Sequence, residues 1–169
     1  MARMGKVDFR QLEEFTKKVE ENLGDDQMDL FIKACAKELA ARLLTKVIRR
    51  TPVGDYSKAV GVDKVGGTLR RGWTGEQQQD VASYVQSLNV EQTGDMYTIE
   101  IVNPVEYASY VEFGHRQTPG RFVPAIGKRL KESWVEGKFM LTISSQEIQD
   151  AAPGILEKKL QRKLGEAFK

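Results

Sequence analysis

The chain has 169 residues, 40% of them hydrophobic and 30% charged, with a formal net charge of +2. These values are ordinary for one soluble globular domain spanning residues 1–169, and the near-balanced charge excludes a global attraction to nucleic acid or to an anionic membrane. No apolar run approaches the ~18 residues that span a bilayer, and the N-terminus lacks the apolar core of a secretory signal. We therefore expect synthesis in a cytoplasm and no membrane partner.

Two helices are predicted over residues 8–50. In the first, residues 8–23, apolar side chains recur at spacings of three and four, and Gly24 marks its end. These side chains are Phe9, Leu12, Phe15, Val19 and Leu23. The second helix, residues 26–50, is longer and rich in Ala, Leu, Lys and Arg, which favour helix. Pro52 ends it, because the residue before a proline disfavours the helical conformation.

Residues 51–76 are predicted to form an extended loop, since they contain six glycines and few hydrophobic side chains. A strand over residues 68–74 is an alternative within it, because Leu69, Arg71 and Trp73 alternate with Arg70 and Gly72. A loop of this length inside a compact domain is typical of a functional segment. In an assembly protein, its natural use is to reach across an interface.

Residues 81–103 are predicted to form an antiparallel β-hairpin. A first strand, 81–91, leads into residues 92–95, whose sequence Gln-Thr-Gly-Asp has turn chemistry. In the second strand, 96–103, Tyr97, Ile99 and Ile101 alternate with polar residues. A short aromatic segment follows at residues 105–113 with helical spacing, and Gly114 ends it.

The remaining residues are predicted to be irregular and then helical. Residues 116–127 carry two prolines and two glycines and read as a second irregular stretch. Residues 128–169 form a C-terminal helical portion, with helices at 138–150 and 153–168 and Pro153 in a first turn. The predicted fold class is α+β, with an antiparallel sheet flanked by a long N-terminal helix and C-terminal helices.

Residues that usually carry catalysis or bind metals are scarce. Cys35, the one cysteine, lies on the apolar stripe of the second helix, where a buried and inert thiol is expected. His115, the one histidine, has no His or Cys at metal-ligand spacing. It is either a base or charge switch, or a loop histidine hydrogen-bonded beside Glu112. With no phosphate-binding glycine pattern either, we predict no catalytic, metal or cofactor site; a hydrolase using His115 is the enzymatic alternative.

Two places combine arginine with aromatic residues, which can hold a phosphate backbone and stack bases. The doublet Arg70-Arg71 precedes Trp73, and Arg116 and Arg121 precede Phe122. Nonspecific nucleic-acid binders usually show a strong excess of positive charge, which this chain lacks. A DNA-binding packaging accessory therefore remains an alternative function.

Six short segments follow one another in a defined order. They are Arg50-Thr51-Pro52-Val53, Gly66-Gly67-Thr68-Leu69-Arg70-Arg71-Gly72-Trp73, Ile101-Val102-Asn103, Tyr107-Ala108-Ser109-Tyr110-Val111-Glu112-Phe113-Gly114-His115-Arg116, Gly120-Arg121-Phe122-Val123-Pro124 and Gly137-Lys138-Phe139-Met140-Leu141. The ordered set, over residues 40–145, resembles the tail-component family of bacteriophages. Family members often keep Thr-Pro-Val close to the following leucine, whereas an insertion separates Val53 and Leu69 here.

The resemblance implies a structural virion protein of the phage neck, made in the host bacterial cytoplasm. Such proteins resemble head–tail joining and tail-completion subunits, small α+β folds that form a ring of six at the head-proximal end of the tail. The implied partners are other copies of the chain, head–tail connector or adaptor proteins, and the tail terminator or tail tube protein. Passive contact with DNA in the channel is also expected. A tail terminator that caps the tube is the nearest alternative function.

Ten residues are predicted to contact a neighbouring subunit or a neck partner, because arginine and aromatic side chains dominate interface energetics. They are Arg70, Arg71, Trp73, Tyr107, Tyr110, Glu112, His115, Arg116, Arg121 and Phe122. For Trp73 and Phe122 a second interpretation stays open, in which each side chain covers the core of its own subunit.

Overall fold

A computed structural model describes residues 24–55, 66–75, 80–94, 96–124 and 127–167. The helices are α1 (Asp25–Arg50), α2 (Thr68–Gly72), α3 (Val81–Ser87), α4 (Ala108–Phe113) and α5 (Met140–Ala167). The strands are β1 (Val90–Thr93), β2 (Met96–Ile99), β3 (Gly114–Arg116), β4 (Phe122–Val123), β5 (Lys128–Arg129) and β6 (Trp134–Glu136). The predicted α+β class is confirmed. No helix among these residues is long and apolar enough to cross a membrane.

The two long helices, α1 and α5, lie side by side and antiparallel. Near the end of α1, the Arg50 guanidinium donates to Glu147 Oε1 at 2.7 Å and to Ser144 Oγ at 2.7 Å. Toward the start of α1, Lys159 Nζ lies 2.9 Å from Glu38 Oε2. Since the sequence numbers rise along one helix as they fall along the other, the ion pairs fix both direction and register.

The core lies where α1 meets α2, α3 and the start of α5. Leu44, Val47 and Met140 are fully buried at its centre. The other buried members of this cluster are Ala40, Leu69, Trp73 and Val85. Helices α2 and α3 thus pack against the apolar face of α1 that the sequence pattern had indicated. The β1–β2 hairpin contacts α1 as well, nearer its start, where the Tyr97 hydroxyl donates to Asp29 Oδ1 at 3.1 Å.

The strands form three two-stranded antiparallel sheets, pairing β1 with β2, β3 with β6, and β4 with β5. The predicted hairpin is confirmed in part, because β1 and β2 pair from Val90↔Ile99 to Thr93↔Met96 around the expected turn. The strand predicted at 81–91 is wrong over most of its length, since α3 fills it. The Asp80 carboxylate starts α3 by accepting a hydrogen bond from the Ser83 backbone N–H at 3.0 Å.

Three further predictions are corrected by the structure. The strand considered at residues 68–74 is wrong, because Thr68–Gly72 form helix α2. The segment 51–76 is therefore not a loop throughout. Residues 116–127 and the start of the region 128–169 contain paired strands rather than irregular and helical chain. Pro153 does not begin a new helix, because α5 runs through it without a break. The helix predicted at residues 8–23 lies outside the described residues.

Candidate assembly surface

Thr51, directly after α1, forms hydrogen bonds inside the protomer with two of the predicted interface residues, Arg70 and Trp73. Its side chain is fully buried, donates to the Val47 carbonyl at 2.6 Å and accepts from Trp73 Nε1 at 2.8 Å. Its carbonyl oxygen accepts from the Arg70 guanidinium at 2.7 and 3.2 Å. Trp73 is itself only 4% exposed. These contacts attach α2 to the end of α1 within one protomer.

Asn103 makes a second connection to α2. Its Nδ2 donates to the Leu69 carbonyl at 2.9 Å, while its Oδ1 accepts from the Val105 backbone N–H at 3.2 Å. A Cβ at Gly72 would overlap Asn103 Oδ1, so the absence of a side chain there permits the approach. Arg71, the remaining predicted residue of α2, donates to the Gly66 carbonyl at 3.2 Å.

Glu112, another predicted interface residue, caps the N-terminus of α5. Its carboxylate accepts from the backbone N–H of Leu141 at 2.9 Å, and from the backbone N–H and hydroxyl of Thr142 at 2.9 and 2.8 Å. The first orphan N–H groups of a helix usually bind the side chain of the preceding residue. Here that residue is Phe139, which has no acceptor, and the carboxylate from α4 replaces it. Glu112 is buried in this role.

Between α4 and α5, residues 114–124 pair with residues 127–137 as the two sides of a β-hairpin, and we call residues 114–137 the arm. Its base is tight, because a Cβ at Gly114 would overlap the Val135 carbonyl and one at Gly137 would overlap the Glu112 carbonyl. Beyond β3 and β6, the Gln117 N–H donates to the Ser133 carbonyl at 3.0 Å and the Gly120 N–H donates to the Leu130 carbonyl at 2.8 Å. Pairing of β4 with β5 completes the arm.

The arm is largely exposed and rich in positive charge. It contains five cationic side chains, Arg116, Arg121, Lys128, Arg129 and Lys131, against two carboxylates, Glu132 and Glu136. All seven are exposed. Its formal charge is therefore +3, from five minus two, whereas the whole chain carries +2. The guanidinium of Arg129 lies 6.0 Å from the ring centroid of Phe122, which is half exposed.

Large aromatic side chains surround the base of the arm. Tyr107, directly before α4, and Tyr110 and Phe113 within it recur every three residues, which turns them toward one side of the helix. Phe113 is 61% exposed and Trp134, on β6, is 49% exposed. We call Tyr107, Tyr110, Phe113 and Trp134 the aromatic face. Exposed apolar groups of this size in one region are typical of a contact surface.

His115 lies in β3 at the edge of this face. Its ring centroid is 5.7 Å from that of Tyr110. Its Nδ1 is buried and has no hydrogen-bond partner in the part of the chain that the structure describes. His115 therefore lies in a strand rather than in the expected loop, and its Nδ1 does not make the expected hydrogen bond within the described residues. Within the described residues, no group of His, Cys, Asp and Glu side chains could hold a metal ion.

Cys35 lies in α1 and is only 9% exposed. Burial raises the pKa of its thiol, which disfavours the reactive thiolate. The prediction of a buried thiol is confirmed.

Residues 13–114 match the family model described as "Bacteriophage HK97-gp10, putative tail-component". The match covers more than half of the 169 residues. The chain belongs to this family of bacteriophage tail components. No curated protein and no solved structure matches it. The predicted family is confirmed, and with it a place among the proteins of the phage tail.

The tail-component match includes α1 to α4 and stops at Gly114, the first residue of the arm. Its motif residues Thr51, Trp73 and Asn103 all make contacts within the protomer.

Of the ten predicted interface residues, six are exposed or half-buried at α4 and the arm, whereas four make hydrogen bonds inside the protomer. Tyr107, Tyr110, His115, Arg116, Arg121 and Phe122 lie on α4 or the arm, and all but the half-buried His115 are exposed. Arg70, Arg71, Trp73 and Glu112 instead make contacts inside the protomer. Sequence reasoning missed Phe113 and Trp134. Phe113 had a usable signal in its spacing from Tyr110, but Trp134 was hidden in a segment predicted to be helical.

Proposed function

We propose that this tail component is a non-catalytic structural protein of the phage neck. In the proposal, copies of the chain assemble into a ring of six, complete the tail and join it to the head connector. The observation that supports it most is the arm with the aromatic face at its base. This surface presents exposed arginines and aromatic rings together, the side chains that contribute most to binding between proteins.

The base of the arm is joined firmly to the helices on either side of it, α4 and α5. At the base, the Lys138 N–H donates to the Val111 carbonyl at 2.8 Å and the Phe139 N–H donates to the Glu112 carbonyl at 3.0 Å. The buried Glu112 carboxylate then joins the same point to α5. An arm anchored to a long helix is already ordered before it binds, so association costs less conformational entropy.

A ring requires two different surfaces on each subunit, one for each neighbour. The arm supplies one of them, with a formal charge of +3, and the rest of the chain carries the balance of −1. Opposite charge on the receiving surface would align neighbouring subunits during assembly. Each two-stranded sheet of the arm also has outer edges, where a strand of a partner can add.

The test is complementation of a phage that lacks the gene. We expect Arg121→Glu/Phe122→Ser to fold normally but to leave unattached heads and tails, counted by electron microscopy, with few infectious particles. Arg49→Glu, which reverses an exposed arginine at the end of α1, is the matched control and should restore infectivity. Full complementation by the folded arm variant would contradict the proposal. Mass measurement of purified rings gives the number of subunits.

The same experiment separates the nearest alternative, a tail terminator. A chain that joins heads to tails should leave tails of normal length when it is removed. A chain that caps the growing tube should leave tails of abnormal length. The distribution of tail lengths in the deletion phage therefore distinguishes the two functions without a purified partner.

DNA contact remains the second candidate function, and the arm is the observation that favours it. Its Arg116, Arg121 and Phe122 are exposed, as a backbone contact requires. The other predicted combination is less suitable, because Trp73 is buried and Arg70 is bound to Thr51. Binding of the purified protein to DNA that weakens steeply with salt, and is lost in the arm variant, would favour this function.

A further inference from the structure

A trough runs along the N-terminal half of α1, with Leu30 and Ala34 as its floor. On one side, a hollow of about 580 Å³ lies between α1 and the residues of α3 and β1, among them Val85 and Val90. On the other side, a hollow of about 240 Å³ lies between α1 and the C-terminal end of α5. Both hollows share Leu30, which is 59% exposed. A side chain of this size is left uncovered by the described elements on either side.

We propose that the trough binds the segment 8–23 of the same chain as a helix packed antiparallel to α1. The proposal goes beyond the assembly function and does not depend on it. The segment carries a stripe of five apolar side chains at helical spacing, from Phe9 to Leu23, which needs an apolar surface to cover it. The trough is such a surface.

The position of Gly24 favours docking within one protomer. Gly24 directly precedes α1, and its carbonyl accepts from the N–H groups of Gln27 and Met28 at 2.8 and 3.1 Å. A segment that ends there reaches Leu30, about 9 Å along the helix, when a short loop that ends at Gly24 reverses the direction of the chain, as between other antiparallel helices. As a helix, the 16 residues 8–23 would be at most about 24 Å long, and even a helix shorter by one turn would span the distance of about 16 Å from Leu30 to Ala41.

Charge complementarity points to the same occupant. The side chains that line the two hollows include five cations, Lys33, Lys37, Lys159, Arg162 and Lys163, and two carboxylates, Glu38 and Glu166. Segment 8–23 has five acidic residues against three basic ones. On a helical wheel, Glu13 and Glu20 border the apolar stripe, whereas Arg10 and Lys17 fall on the opposite side. The docked helix would therefore place its acidic border beside the basic walls of the trough.

Disulfide trapping in the full chain tests the docking directly. In a Cys35→Ala background, Phe15→Cys is combined with Ala34→Cys, which lies in the trough. Phe15→Cys with Arg49→Cys is the matched control, because position 49 is about 22 Å further along α1. A disulfide requires Cα atoms within about 7 Å, so we expect the trough pair to oxidise at least about tenfold faster than the control, as an intramolecular bond. Equal rates would overturn the docking, and disulfide-linked dimers would show docking on a neighbour instead.

Hydrogen exchange on the chain with its native cysteine keeps the proposal testable if the trapping variants do not fold. We expect the amides of residues 8–23 to be protected, and Glu20→Lys to reduce their protection about threefold, as loss of a surface ion pair would. Lys163→Glu in the same chain should restore it. Glu21→Lys, on the far side of the stripe, is the control and should have little effect. Unprotected amides, or equal effects of the two glutamate changes, would refute the proposal.

Discussion

Replacement of Glu112 by alanine tests whether this family-motif residue acts inside the protomer. The carboxylate accepts three hydrogen bonds from Leu141 and Thr142, two of them from backbone N–H groups of the first turn of α5. Loss of an N-cap acceptor costs about 1 kcal/mol, and a partly buried donor left unpaired costs about 1 to 3 kcal/mol. We therefore expect Glu112→Ala to lower the free energy of unfolding by about 3 kcal/mol.

In a protein of this size, such a loss lowers the melting temperature by about 9 °C. Differential scanning calorimetry of the purified chain measures it, with Glu106→Ala as the control, since Glu106 is exposed in the turn before α4. Glu112→Gln keeps one acceptor oxygen and should fall between the two. The loss should not depend on protein concentration, because the cap lies within one protomer. An effect no larger than the control's, or one that grows on dilution, would refute the internal role.

Two further predictions concern the base of the arm and the pair of long helices. Gly114→Ala should lower the free energy of unfolding by about 3 kcal/mol, because its φ of +84° and the nearby Val135 carbonyl both exclude a Cβ. Gly154→Ala is the control, since Gly154 faces open space on α5, and it should raise the free energy of unfolding by about 1 kcal/mol. Chemical denaturation of the two variants measures both changes. Hydrogen bonds from Lys46 and then Arg50 hold the pKa of Glu147 below its ordinary value of 4.5, so its stabilising effect is present above that pH and is lost as the pH falls through the lowered pKa. The difference in melting temperature between wild type and Glu147→Gln should shrink as the pH drops below 4.5, and a difference that stays constant into acid would contradict it.

Helix α1 could be predicted closely because its signals are local. Residues 26–50 are strong helix formers, arginines end the helix, and a proline follows. The observed bounds, Asp25–Arg50, differ from the prediction by one residue. Helix α3 was missed for a local reason as well. Its Val and Tyr residues favour strand, but Asp80 directly before them caps a helix, and this single side chain outweighs their preference.

Helix α5 shows where local signals mislead. Proline inside a helix removes a backbone hydrogen bond and costs about 3 kcal/mol, so a boundary at Pro153 was a sound expectation. The structure keeps the helix continuous because contacts with α1 hold it on both sides. Glu147, before the proline, pairs with Arg50, and Lys159, after it, pairs with Glu38. Each partner on α1 lies 97 residues or more from its partner on α5 in the sequence, so no local pattern predicts these pairs.

The candidate assembly surface was hard to predict because a residue can belong to a family motif and still be buried inside the protomer. Trp73 and Glu112 have the residue types and the motif positions of interface residues, yet hydrogen bonds inside the protomer account for both. Phe113 and Trp134 lie on the exposed aromatic face, and one of them lies beyond the family match, which ends at Gly114. Substitutions at the buried motif residues Trp73 and Glu112 therefore measure folding first. Substitutions on the arm, where side chains are exposed and few internal contacts would be lost, are the ones that test the proposed assembly function.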